Sequence, residues 1–225
     1  MARFHDRAAE SYVSASWTTS GLEALLDDHA TDDATSPGAW RPDLLSDVLR
    51  AVKLTGALFF AVDAAHPWGV SVPHAGRIAP VILPGAQHVV SYDIVLKGAG
   101  WVRMAGMDPV RFESGDILVF PQTDPYALLS TPDQKPEFDV DGTTQFLREM
   151  AAGEHPFVVR EGGAGPERTQ FVCGYLGCDM RPFNPLLSAL PRMLRIRRTG
   201  ADGDELLDQL IRLTLSEARI RRFGG

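Results

Sequence analysis

Between Ala79 and Ser130 the chain reads as short runs of alternating or continuous apolar residues, each closed by turn formers. The period of two predicts strands over 79–84, 88–96, 100–106, 108–114, 116–121 and 126–130. Pro84-Gly85, Lys97-Gly98, Gly106-Met107-Asp108 and Ser114-Gly115-Asp116 supply the turns between them. Upstream, Gly56 opens a strand over 57–64, His66-Pro67-Trp68-Gly69 breaks it, and 69–73 forms another short one. Downstream, 168–178 is a further strand. The segment 116–121 is apolar at both parities, as in a strand covered on two sides by a barrel. So many short strands at this spacing imply a sandwich or barrel.

Helical periodicity flanks this β region. In 43–54, Leu44, Leu45, Val48, Leu49 and Val52 share a face, with Asp43 as N-cap. A short helix is expected over 143–151, inside a Pro-, Gly- and acid-rich excursion (131–168) that reads as a lid. Leu206, Leu207, Leu210, Ile211 and Leu213 mark an amphipathic C-terminal helix over 203–225. Residues 1–42 look like an acidic, partly disordered extension, with seven acids against three arginines and the breaker-rich stretch 32–38. The expected organisation is that extension, a barrel domain over 43–190, and a helical dimerisation or linker segment over 191–225.

The chain has 225 residues, is 44% hydrophobic and 23% charged, and carries a formal net charge of −7. That is an ordinary globular composition, and its acidity argues against a whole-chain DNA binder, which needs clustered Lys and Arg. No apolar run reaches the ~20 residues of a membrane helix, and the N-terminus has no secretory apolar stretch. Two cysteines form no secreted-type disulfide framework. A cytoplasmic location is expected.

The stretch Gly115–Ser130 has the frame G-x5-P-x-G-x2-H-x3-N, the second motif of cupin barrels. Gly115 and Pro121 are in place, while Thr123, Tyr126 and Ser130 stand at the second glycine, histidine and asparagine. Three further phrases matter: DLLSDVLRAVKLTGALFF, PGAQHVVSYDIVLKGAGWVRMAG and FVCGYLGCDMRPFNPLLSALPRMLRI. With these, residues 43–223 resemble the N-terminal cupin-like domain of AraC-type transcriptional regulators. The resemblance implies a double-stranded β-helix (jelly-roll barrel), mainly β with flanking helices, that senses a small-molecule effector and forms a homodimer. In that family DNA is bound by a C-terminal pair of helix-turn-helix units. Here Gly225 falls where those units would begin, and no segment reads as a recognition helix.

The candidate site follows from the motif positions. Metal-binding cupins use two histidines and a carboxylate from the first motif and one histidine from the second. Here that second slot is Tyr126, the residue after Pro121 is Gln122, and the residue before IVLKG is Asp93. His88 lies five positions from Asp93, which puts the two on opposite faces of a regular strand. The expectation is therefore a ligand site with no metal, no cofactor and no catalysis. Asp93, Gln122, Tyr126 and His88 would be its polar lining. Trp101 and Arg103 would add a stacking surface and a cation for sugars, aromatics or carboxylates. The alternatives are a metal-dependent cupin enzyme of dioxygenase or isomerase type, and a stand-alone structural cupin. Cys173 and Cys178 form a C-x4-C pair. They read as small buried residues, or else as a redox pair or a metal site completed by His66, His74 or His155. The basic run Arg192, Arg195, Arg197, Arg198 reads as a solvated edge.

Overall fold

The computed structural model describes residues 54–122, 124–179 and 190–197, with single positions 209, 212, 213 and 216 beyond them. The 1–42 extension and nearly all of the expected 43–54 helix lie outside the described residues. So do Thr123, Arg198 and most of the C-terminal helix, though Gln209, Arg212, Leu213 and Ser216 are helical.

Ten strands form two sheets. They are β1 (Leu54–Ala65), β2 (Gly69–Val72), β3 (His88–Lys97), β4 (Ala99–Arg103), β5 (Val110–Glu113), β6 (Asp116–Phe120), β7 (Tyr126–Leu129), β8 (Val158–Gly162), β9 (Arg168–Cys178) and β10 (Leu194–Arg197). The larger sheet has the order β10-β6-β3-β9-β1-β8 and the smaller β2-β7-β4-β5. All neighbours are antiparallel except β8, which adds to the edge of β1 in parallel, Ala61 opposite Val158. This is the mainly β fold with flanking helices that the alternation implied. Gly115 sits at φ 93° between β5 and β6, a left-handed conformation that costs glycine little and other residues more. That explains why the motif opens on this glycine.

Two helices cover one end of the larger sheet. The first, α1 (Ala75–Ile82), occupies part of the segment expected as the strand 79–84. Its buried residues are Ile78 and Ile82, one helical turn apart, and the His74 ring nitrogen caps it by accepting from the Gly76 N–H at 3.0 Å. A short apolar run is ambiguous between strand and helix, and here the i, i+4 pair decided. The second, α2 (Val140–Ala151), fulfils the helix expected at 143–151. Asp139 caps it, its Oδ1 accepting from Gly142 N–H at 2.8 Å. Leu147 and Met150 are almost fully buried, worth roughly 1.5–3 kcal/mol each. They hold α2 against Leu58, Phe60, Ile78 and Tyr175.

Two strands were not anticipated. β8 completes the excursion by returning to the large sheet. β10 falls within the 191–225 segment expected to be helical, yet it pairs with β6, Leu194 opposite Val119. Two arginines of the basic run are tied down, while Arg197 of β10 is exposed. Arg195 reaches Asp116 Oδ2 at 2.6 Å, and Arg192 binds Asp124 at 3.0 Å.

The interior has two hydrophobic clusters. One lies between the sheets around Val95, Val102, Phe112, Leu118, Phe120 and Phe171. The other lies under the helices around Leu58, Phe60, Ile78 and Tyr175. Val62 and Cys173 pack against both clusters, and the cavity described next lies at this seam.

Candidate functional site

The site is built on the β3–β9 pair. Odd-numbered residues of β3 point inward, so Val89, Ser91, Asp93 and Val95 are all buried. The register sets Asp93 opposite Cys173 and Ser91 opposite Tyr175. From β1, Phe60 pairs with Cys173 and Val62 with Phe171, extending the same inner face. Tyr126 of β7 closes the opposite wall, its ring stacked on Phe120 at 3.6 Å and 7°.

Phe60, Val62, Asp93, Tyr126, Phe171, Cys173 and Tyr175 line a cavity of about 60 Å³. Trp68 and Phe171, in edge contact at 5.2 Å, form part of its apolar wall. Thr143, Phe146 and Leu147 of α2 lie across it, giving the excursion the covering position expected of a lid. Glu161 of β8 and Glu137, from the loop before α2, also border the cavity.

The polar atoms form a small network. Tyr126 O–H donates to Ser91 Oγ at 3.2 Å and lies 3.5 Å from Asp93 Oδ2. The Cys173 thiol donates to the Asp93 carboxylate. Asp93 is 3% exposed and among the described residues no cation reaches it, so burial pushes its pKa up to about 6. Burial, followed by the nearby charge of Glu137, raises Glu161 to about 7. Burial holds the Tyr126 and Tyr175 hydroxyls and the Cys173 thiol well above their usual ranges, and the Asp93 charge adds to this. At neutral pH these three groups stay protonated as hydrogen-bond donors. Cys173 is accordingly a thiol and a poor nucleophile.

The family follows from a match along the chain. A family model described as Cupin matches residues 43–225. The chain belongs to the cupin family. No curated protein matches it. In this cupin the position of the second-motif histidine is Tyr126, which is spent on Ser91 and Asp93. Among the described residues no group of three His, Cys, Asp or Glu side chains stands close enough to hold a metal ion.

Of the residues expected at the site, only Asp93 and Tyr126 border the cavity. Trp101 and Arg103 do share one face of β4, but it is the outer one, because Gly100 and Val102 are the buried positions. A Cβ at Gly100 would meet Phe112 at 2.6 Å, so β4 presses its even-numbered side into the core. Arg103 turns instead to the loop after β7, donating to the Pro132 and Gln134 carbonyls at 3.2 and 3.3 Å. Gln122 donates to the Leu190 carbonyl at 3.0 Å, and His88 to the Pro121 carbonyl at 2.7 Å. Both tie strand ends together rather than line the cavity. His88 does lie on the face opposite to Asp93, as the odd spacing required.

The cysteine pair does not form. Both thiols are free, and β9 runs unbroken through them. Five residues of strand span about 16 Å, far beyond disulfide reach. His74 caps α1, His155 pairs with Glu149 at 2.9 Å, and the His66 carbonyl accepts from Gly165 N–H. None of them joins the cysteines in a metal-binding group.

Sequence reasoning missed Cys173, Tyr175, Glu161 and Thr143 as cavity residues. A usable signal existed for the first two, since Phe171, Cys173 and Tyr175 alternate on one face of a single strand. For Glu161 there was none, because only the parallel pairing of β8 with β1 brings it to the cavity.

Proposed function

We propose that this cupin is the ligand-sensing and dimerisation domain of an AraC-like transcriptional regulator, binding a small organic molecule in its barrel without catalysing a reaction. The observation that carries this reading is the cavity at the seam of the two cores, with Asp93 buried on its wall and, among the described residues, paired with no cation. A scaffold stabilised only for its own sake gains nothing from an unneutralised carboxyl in an apolar cavity. The protonated state of Cys173, Tyr126 and Tyr175 suits recognition by hydrogen bonds better than nucleophilic chemistry. The C-terminal segment would supply the dimer seam, and Leu213, 58% exposed, offers it an apolar residue. In this reading DNA is bound through helix-turn-helix units rather than by the barrel, and the effector acts from the cytoplasm. No described helix is long and apolar enough to cross a membrane.

Native mass spectrometry with metal analysis of the purified chain tests the reading. The expected spectrum is a dimer that carries or takes up an organic ligand and holds no stoichiometric metal. Near-stoichiometric iron, manganese, nickel or zinc would overturn it in favour of a cupin enzyme. Retardation of duplex DNA by this chain at physiological salt would overturn the assignment of DNA binding to a separate unit.

A further inference from the structure

We infer that the cavity accepts a small organic cation, a primary ammonium on a compact apolar or aromatic body, with the ammonium held by Asp93 and Glu161. The inference rests on the recognition reading above and specifies the chemistry of its ligand.

The first argument is the sign of the charge. Three carboxylates border the cavity: Asp93, buried, Glu161, half-buried, and Glu137, exposed. Among the described residues no Lys, Arg or His borders it. Arg103, the cation that the sequence offered for a carboxylate ligand, faces outward. An anionic guest would be repelled by all three carboxylates, and a neutral one would leave the Asp93 charge uncompensated. A cation supplies the partner that the fold withholds.

The second argument is independent of charge. Thr143, 3% exposed, borders the cavity, and among the described residues its Oγ1 finds no hydrogen-bond partner. A buried hydroxyl without a partner costs stability, and a guest bound against Thr143 would supply one. An ammonium group has three N–H donors and no acceptor. It therefore needs acceptors, and a threonine oxygen and carboxylate oxygens are what this wall offers. The rest of the wall is rich in rings, among them Phe60, Trp68, Phe146, Phe171 and Tyr175. Aromatic faces attract organic cations while burying their apolar part.

Size limits the guest. The cavity of about 60 Å³ holds roughly four to six water positions, so the ligand is small. The order of the acids also gives a route. Glu137 is outermost and Asp93 is the most buried, so attraction continues inward as the guest sheds water.

The groups facing the two carboxyls set the pH dependence. Asp93 faces Cys173 and Tyr175 from β9 and Tyr126 from β7, all protonated at neutral pH. Glu161 faces Glu137 and also acts on Cys173. Only the carboxyls titrate between pH 5 and 8, so affinity for an ammonium should fall as pH drops through 7 and 6.

Calorimetric titration of the full chain at pH 8 tests this with six probes: butylamine, butanol and butyrate, and benzylamine, benzyl alcohol and benzoate. At least one amine should bind, with its alcohol about tenfold weaker or worse and its carboxylate not at all. Asp93→Asn and Glu161→Gln should each weaken the amine by about tenfold and leave the alcohol unchanged. Near-ultraviolet circular dichroism would establish that each variant is folded, and either variant alone suffices if the other does not fold. Equal or tighter binding of an alcohol or carboxylate overturns the inference while leaving a recognition barrel in place. Failure of both amines to bind also overturns it, and the native mass spectrum then decides separately whether the barrel binds ligand at all. Unchanged amine affinity in a folded Asp93→Asn or Glu161→Gln protein overturns it as well.

Discussion

Asp116 and Asp93 are equally buried, at 3% exposure each, yet the fold treats them in opposite ways. Asp116, at the start of β6, accepts the Glu113 backbone N–H at 2.8 Å and is closed by Arg195 of β10 at 2.6 Å. Asp93, on the inner face of β3, has a thiol and a distant phenol but, among the described residues, no cation. Asp116 is a tie that fastens the edge strand β10. Asp93 is held at a stability cost, which makes sense only if something else completes it. Burial alone therefore does not distinguish a structural acid from a functional one, and the partner does.

The largest effect should come from breaking the completed pair. Arg195→Met leaves Asp116 buried without its cation and loosens β10, at a cost of about 3–5 kcal/mol. Chemical denaturation would measure it, and a loss below about 1 kcal/mol would show that Asp116 is not the tie described. Asp93→Asn should do the reverse. The folded-state pKa of Asp93, about 6, lies above its ordinary value of 3.8. The contribution of Asp93 to stability is thus fully present below pH 3.8 and lost as pH rises through 6. The variant, which cannot ionise there, should be more stable than the parent at pH 8 by up to about 3 kcal/mol. The difference should shrink on acidification to pH 4. Parallel melting curves across that range would contradict the account of Asp93 as an unpaired acid. The smallest effect belongs to Arg103→Ala on the outer face of β4. It should cost about 1 kcal/mol through the lost loop carbonyl contacts and leave amine affinity within about twofold of the parent. A large loss of binding would return Arg103 to the site.

Much of the fold was legible, and the reasons are local. Alternation and turn residues located β3 to β7 and β9, because a pleated strand with one buried face writes its period into the sequence. The helix α2 was legible for the same reason at a different period. The segment 79–84 was misread as a strand because so short an apolar run satisfies both periods. β8 and β10 were missed because each is an edge strand held by a pairing distant in sequence. At the site, Asp93 and Tyr126 were found through their motif positions. Trp101 and Arg103 were assigned to the wrong face because their parity carries Trp101, a large apolar residue, while the buried parity begins with Gly100, which has no side chain to mark it.

The sequence by itself determined the class of fold, the turn at Gly115, the replacement of the second-motif histidine by Tyr126, and the opposite faces of His88 and Asp93. All are matters of residue identity and period along a single strand. Only the tertiary structure decided the charge of the site. It turned Arg103 outward, gave Arg195 to Asp116 rather than to solvent, and brought Glu161 to the cavity through the parallel pairing of β8 with β1. Those outcomes depend on which strand lies beside which. Such pairings are set by burial of whole faces against one another, and no local stretch of sequence encodes them.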